Sequence, residues 1–205
     1  MKITLSNAGK RFNREWIFRK ANYTFLPGRS YAITGTNGSG KSTLLQALSG
    51  SLEISEGNIS WETGSLSTDI NKVYNYLTIV APYIEVIEEM TAIEFLRFHQ
   101  QFKPLLQKLS IKEMVSIVGL GKAANKQIRY YSSGMKQRIK LAQAVFSDTP
   151  LLLLDEPCTN LDAVGFSLYN SLIGEFCSNK TIIVSSNDIN EYSFCTEVIS
   201  IMDYK

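Results

Sequence analysis

The chain has 205 residues, a length that fits one large domain or two small ones and needs no disulfide or metal cross-links. Its 21 basic and 19 acidic residues give a net charge of +2, which excludes a strongly basic nucleic-acid binder and an acidic disordered tail. The longest apolar run, four leucines at 151–154, is far shorter than a membrane helix of about 20 residues, and we expect neither a membrane span nor a signal peptide.

Short strand-like segments alternate with helical patterns along the chain. Residues 1–26 show strand-like alternation and predict a small antiparallel sheet. Leu44, Leu45 and Leu48 share one face of a helix that is expected to end at Gly50. The other predicted strands are residues 31–34, 59–61, 77–80, 151–154, 181–184 and 198–202.

Residues 90–146 have a helical pattern, with Phe95, Phe98 and Phe102 at spacings of three and four. Strands separated by helices predict an α/β fold with a mainly parallel sheet. We therefore expect a single domain at 1–205, with its core at about 1–82 and 148–205 and a helical insertion at about 83–147. The three cysteines and the single histidine, His99, lack the spacing of a zinc site, and His99 is expected on a helix surface or in packing.

A glycine-rich segment follows the strand at 31–34 and opens the next helix. It fits the phosphate-loop pattern G-x-x-x-x-G-K-[ST] and comprises Gly35, Thr36, Asn37, Gly38, Ser39, Gly40, Lys41, Ser42 and Thr43. The glycines let backbone N–H groups point at phosphate oxygens, and the helix N-terminus favours an anion. Lys41 is expected to reach the β- and γ-phosphates, and Ser42 to be a ligand of Mg²⁺.

Two carboxylates follow the leucines at 151–154. Ligands of parallel sheets bind at the carboxyl ends of the strands, so Asp155 is expected to hold Mg²⁺, directly or through water. Glu156 is expected to face the γ-phosphate and to polarise the attacking water. Together with the phosphate loop, this pair predicts a nucleoside-triphosphate hydrolase.

The chain resembles the ATP-binding cassette (ABC) ATPases. The family's marker element, similar to L-S-G-G-Q, has its counterpart in Tyr-Ser-Ser-Gly-Met-Lys-Gln-Arg at 131–138, upstream of the acidic strand. Ser132 and Gly134 precede a helical run and provide a second anion site at a helix N-terminus. The resemblance implies a P-loop NTPase core, an N-terminal antiparallel β subdomain and an inserted helical subdomain, with the marker closing on ATP held by a partner's phosphate loop.

Further site residues follow from this resemblance. Asp162, in Thr-Asn-Leu-Asp at 159–162, matches the family's D-loop at the dimer interface. Phe12 lies where the family places an aromatic ring on adenine, with Trp16 as the reserve candidate, because stacking needs only an exposed ring face.

The sequence departs from the family pattern at three places. Tyr83 stands where the family has a Mg²⁺-binding glutamine, and a phenol is a poorer metal ligand. Asn187 replaces the family's histidine; its amide can donate to the γ-phosphate but cannot carry a proton, which predicts slower hydrolysis. In the marker, Ser133 replaces glycine and Met135 replaces glutamine.

The resemblance implies an ATP-hydrolysing transporter subunit that binds ATP and Mg²⁺. Since we expect no fused membrane domain and no second cassette in this chain, it should pair with a second cassette, most simply a copy of itself. We also expect it to bind integral-membrane subunits on the cytoplasmic face of the cell membrane. No nucleic-acid partner is expected. Residues 94–100 are similar to the haem-exporter cassettes of cytochrome c maturation. Two alternatives remain open, a soluble ABC ATPase without a transport role and a regulatory cassette that binds ATP but hydrolyses it slowly.

Overall fold

The computed structural model describes all 205 residues, Met1–Lys205. The strands are β1 (Lys2–Phe12), β2 (Glu15–Phe25), β3 (Ser30–Thr34), β4 (Glu56–Thr63), β5 (Leu66–Thr68), β6 (Leu77–Val80), β7 (Leu151–Asp155), β8 (Thr181–Ser185) and β9 (Glu197–Ser200). The α-helices are α1 (Lys41–Leu48), α2 (Ala92–Gln100), α3 (Ile111–Ile117), α4 (Ser133–Val145), α5 (Ala163–Phe176) and α6 (Ile189–Tyr192). Short 3₁₀ helices lie at Ile70–Tyr76, Gly121–Ala123, Ile128–Tyr130 and Ile201–Tyr204. None of the helices is long and apolar enough to cross a membrane.

The chain forms two compact units. The first unit contains Met1–Leu77, Pro150–Asp155 and Asn179–Lys205, and the second contains Thr78–Thr149 and Glu156–Ser178. The strand β6 spans the point where the chain passes from the first unit into the second.

A parallel sheet forms the centre of the first unit, where its strands run in the order β7-β8-β3-β9. Every residue of β7 and β8 is buried, as expected for strands of a parallel sheet that is covered on both faces. The helix α1 packs against β7 and β8 and buries Leu44, Leu45 and Leu48. The carboxyl ends of β3, β7 and β8 therefore meet at one edge, next to the start of α1.

An antiparallel sheet completes the first unit, with its strands in the order β2-β1-β4-β5. Trp61 on β4 ties this sheet to α1, because its indole N–H donates to the carbonyl oxygen of Leu48 at 2.8 Å. Tyr23, Phe25 and Tyr31 form an edge-to-face cluster with ring centroids 4.9 to 6.1 Å apart. The cluster joins β2 to β3 and so anchors the hairpin of β1 and β2 beside β3, the strand that leads into the phosphate loop.

The second unit is mainly helical. Capping boxes start α2 at Thr91 and α3 at Ser110, each with a glutamate three residues later, so local sequence specifies both starts. His99 on α2 is buried, with its ring nitrogens 2.7 Å from Ser147 Oγ and 2.9 Å from Gln143 Nε2. Burial lowers its pKa to about 4, so His99 is an uncharged packing residue at neutral pH.

The expected α/β fold is confirmed, and so are an antiparallel pairing within residues 1–26 and the strands at 31–34, 59–61, 77–80, 151–154 and 181–184. For the last predicted strand, 198–202, the predicted end at residue 202 was wrong. β9 stops at Ser200, whose hydroxyl accepts from Met202 N at 3.2 Å and caps the 3₁₀ helix Ile201–Tyr204. This local side-chain cap ends the strand although Ile201 and Met202 are apolar.

Candidate functional site

The phosphate loop connects β3 to α1 at the carboxyl edge of the parallel sheet. Gly35 has φ +147° and Gly40 has φ +102°, values that residues with a side chain rarely adopt. A Cβ atom at Gly40 would lie 2.3 Å from Ile17 Cγ2 of β2, and one at Gly35 would lie 2.5 Å from Ile201 Cγ2. Both positions therefore require glycine, and the loop is held tightly between β2 and the C-terminal segment.

Lys41 is buried inside this loop. Its ammonium donates to the carbonyl oxygens of Gly35 at 2.7 Å and Thr36 at 3.3 Å. Because an ammonium has three donors, one N–H of Lys41 is left for a further acceptor. With the free N–H groups at the start of α1, the charge of Lys41 makes this loop a site for an anion.

Asn187 follows β8 and contacts the phosphate loop. Its Oδ1 accepts from the N–H of Gly35 at 3.3 Å, and its Nδ2 donates to Asn37 Oδ1 at 2.9 Å. Since the N–H of Gly35 can only donate, the amide of Asn187 has a single orientation with Nδ2 towards Asn37. One of the two hydrogens on Nδ2 remains available for a phosphate oxygen.

Asp155 lies at the end of β7 and is only 2% exposed, yet its Oδ1 has no hydrogen-bond partner. A buried carboxylate oxygen without a partner is costly and fits a cation or its water shell. Ser42, in the first turn of α1, is exposed and offers a hydroxyl at the same edge. These oxygen donors suit Mg²⁺, which when bound would neutralise charge on transferring phosphate oxygens.

Two further serines of the first unit are buried without hydrogen-bond partners at their hydroxyls, Ser39 in the phosphate loop and Ser185 at the end of β8. Ser39 was among the predicted loop residues, but sequence reasoning missed Ser185. The available signal was an apolar run ending in a polar residue, the same pattern that had pointed to Asp155 after the leucines of β7.

Phe12, the predicted adenine-stacking residue, is exposed at 48% at the end of β1. The ammonium of Lys10 lies 5.0 Å from its ring centre. The reserve candidate Trp16 is less exposed, and the guanidinium groups of Arg11 and Arg19 lie 5.5 and 4.4 Å from its ring. Phe12 therefore offers the more accessible ring for a base.

The marker residues begin α4 in the second unit. Ser132 is the N-cap of α4, and its hydroxyl oxygen accepts from the N–H of Met135 at 3.3 Å, which leaves its O–H free to donate. Gly134 does not precede the helix as predicted but lies in its first turn, because the cap at Ser132 starts α4 at Ser133. The marker still combines a hydroxyl donor with a helix N-terminus.

The other predicted residues of the second unit have distinct local settings. Glu156 is exposed and has φ +44°, a strained conformation for a residue other than glycine. Asp162 caps α5, where its carboxylate accepts from the N–H of Gly165 at 2.7 Å. This hydrogen bond and the nearby guanidinium of Arg138 lower the pKa of Asp162. Tyr83 follows β6 and is 48% exposed. Backbone strain is stored most often at functional sites, which singles out Glu156 among the three.

An apolar groove of about 330 Å³ lies in the second unit. Phe98 and Phe102 on one side pack edge to face, with ring centres 5.1 Å apart. Phe102 is 65% exposed, so a large aromatic surface faces solvent. Glu85 and Lys103 add opposite charges to the lining.

Comparison with known proteins shows the family to which the chain belongs. The sequence model of the family described as "ABC transporter" matches residues 18–159. The chain is 31% identical over 186 residues to the uncharacterized ABC transporter ATP-binding protein YybJ of Bacillus subtilis, covering 90% of this chain and 85% of YybJ. It is 28% identical over 189 residues to the cytochrome c biogenesis ATP-binding export protein CcmA of Mesorhizobium japonicum, covering 92% of each.

A solved dimeric structure of MJ0796, a bacterial ABC transporter cassette, has the same fold. Its TM-score is 0.81 at 24% sequence identity, over 97% of this chain and 93% of that one. The expected resemblance to a stand-alone cassette, including those of cytochrome c maturation, is confirmed by these relatives.

Proposed function

Because the chain belongs to the ABC transporter family, we propose that it is the ATP-binding and ATP-hydrolysing subunit that powers a separate membrane transporter. The observation that best supports this function is Lys41, which is buried among the phosphate-loop carbonyls with one N–H still to donate. Asp155, with an unpartnered carboxylate oxygen at the neighbouring strand end, supplies the acidic group of an ATP–Mg²⁺ site.

We further propose that two copies of the chain enclose two ATP molecules. The free O–H of Ser132 and the first turn of α4 are suited to a γ-phosphate held by the phosphate loop of a second copy. Asp162 would lie along the same interface. The dimeric structure of MJ0796, a cassette with the same fold, supports this proposal.

The membrane partner is proposed to dock in the apolar groove of the second unit. Phe98 and Phe102 would receive apolar side chains of a membrane subunit's helix, and Glu85 and Lys103 would fix its orientation through charge. ATP-driven closing and opening of the two copies would then move the membrane subunits. In this proposal the chain binds to the cytoplasmic face of the membrane.

A fractionation experiment tests the transporter function. In the source cells, tagged wild-type chain is expected in the membrane fraction, and the Phe98→Asp/Phe102→Asp variant is expected to shift to the soluble fraction. Leu66→Asp is the matched control, because Leu66 is 76% exposed on β5, outside the groove. All three purified proteins should bind ATP equally. Wild-type chain in the soluble fraction would instead support the alternative of an ABC ATPase without a transport role.

A regulatory cassette with slow hydrolysis is the second candidate function, and Asn187 favours it because an amide carries no proton. We expect Asn187→His to raise the turnover of the purified chain about 100-fold, the lower end of the range for a positioned acid–base group. Wild-type turnover should be nearly independent of pH between 6 and 8, because His99 is the only histidine and its pKa is about 4, so no imidazole titrates in this range. The variant adds a histidine at the site and should acquire a pH dependence there. Steady-state phosphate release at several pH values measures both effects, and an unchanged or lower rate would contradict them.

A further inference from the structure

Two buried polar atoms without hydrogen-bond partners lie on neighbouring strands at the edge of the parallel sheet. Asp155 ends β7 and Ser185 ends β8, and the two residues are partners in the parallel register. Ser185 is fully buried, and neither its Oγ nor Asp155 Oδ1 has a hydrogen-bond partner. Register partners on adjacent strands project to the same face of a sheet, so the hydroxyl and the carboxylate share one face.

Comparison with the neighbouring Ser186 shows that the hydroxyl of Ser185 is unusual. Ser186 is also buried, at 2% exposure, but its Oγ accepts from the N–H of Asp188 at 2.9 Å and so shapes the turn before α6. Ser185 makes no such contact. A buried hydroxyl without a partner carries its full desolvation penalty, and the fold alone would be as stable with alanine there.

We propose that Ser185 is a positioning residue of the metal–phosphate site, whose hydroxyl holds a water of the hydrated Mg²⁺ together with Asp155. The proposal rests on the ATP-binding function proposed above. A metal-bound water can only donate, and Asp155 Oδ1 and Ser185 Oγ are two free acceptors on one face, able to accept its two hydrogens. Ser185 thereby fixes the metal's water shell without touching the metal.

The experiment compares Ser185→Ala with Ser186→Ala in the full chain. In nucleotide-free protein, Ser185→Ala is expected to keep or raise Tm, whereas Ser186→Ala should lower it, because only Ser186 loses an existing hydrogen bond. ATP affinity is then measured with Mg²⁺ and with EDTA. Ser185→Ala should weaken binding about three- to tenfold with Mg²⁺, the worth of one hydrogen bond, and leave binding in EDTA unchanged.

Ser185→Thr provides the rescue, because it keeps the hydroxyl and suits a strand. It should restore the Mg²⁺-dependent part of ATP affinity. A lower Tm for Ser185→Ala, or equal losses of affinity with Mg²⁺ and with EDTA, would overturn the proposal in favour of a structural role. Failure of the proposed ATP-binding function is distinguishable, since wild-type protein would then bind ATP in neither condition.

Discussion

Replacing Glu156 with glutamine is expected to lower ATP hydrolysis by about 10²- to 10⁴-fold, the usual contribution of a general base. Glutamine keeps the size of the side chain but cannot accept a proton from the attacking water. ATP binding should persist, because Lys41 and the rest of the phosphate loop are untouched. The variant should therefore accumulate as an ATP-bound dimer. Phosphate release measures the rate, and light scattering coupled to size exclusion, with and without MgATP, measures the dimer.

A second variant separates the carboxylate of Glu156 from its backbone strain. Glu156→Gly removes the same carboxylate but suits the φ of +44°, so we expect its free energy of unfolding to rise by about 1 kcal/mol. Hydrolysis should be lost as in Glu156→Gln. If Glu156→Gln binds ATP yet stays monomeric, the composite site shared by two copies is wrong. If it hydrolyses ATP at the wild-type rate, Glu156 is not the base.

The phosphate loop could be read from the sequence because its conformation is encoded locally. Gly35 and Gly40 are positions where backbone angle and close packing both require glycine, and Lys41 follows them by fixed spacing. The strands β7 and β8 were equally predictable, since an uninterrupted apolar run fits a strand buried on both faces. In these segments the local pattern and the tertiary environment favour the same structure.

Contacts that depend on register could not be predicted in this way. Asn187 accepts a hydrogen bond from Gly35 and donates one to Asn37, and these residues lie about 150 positions apart. Only the placement of β8 beside β3 brings them together. The partnerless hydroxyl of Ser185 likewise becomes visible only when its pairing with Asp155 is known. The strand end at Ser200 was mispredicted for the opposite reason, because a short-range cap outweighed apolar residues that favoured continuation.

Replacing Lys41 with alanine is expected to weaken ATP binding by about 10- to 150-fold, the range for a hydrogen bond to a charged group. The loss has two sources. The variant removes the positive charge that faces the phosphates, and it deprives the carbonyls of Gly35 and Thr36 of the donor that fixes the loop. Hydrogen exchange of the loop amides should therefore rise even without nucleotide. Calorimetric titration with ATP and with ADP measures the affinities.

Lys72→Ala is the matched control, since it removes one positive charge from an exposed residue of the first unit outside the loop. Its ATP affinity should equal that of wild type. Lys41→Arg is a second comparison, because it keeps the charge but puts a larger, planar group where the buried ammonium fits, and we expect it to bind ATP weakly too. If Lys41→Arg bound ATP as wild type does, charge alone would explain the role of Lys41. If Lys41→Ala did so, the phosphate loop would not be the nucleotide site.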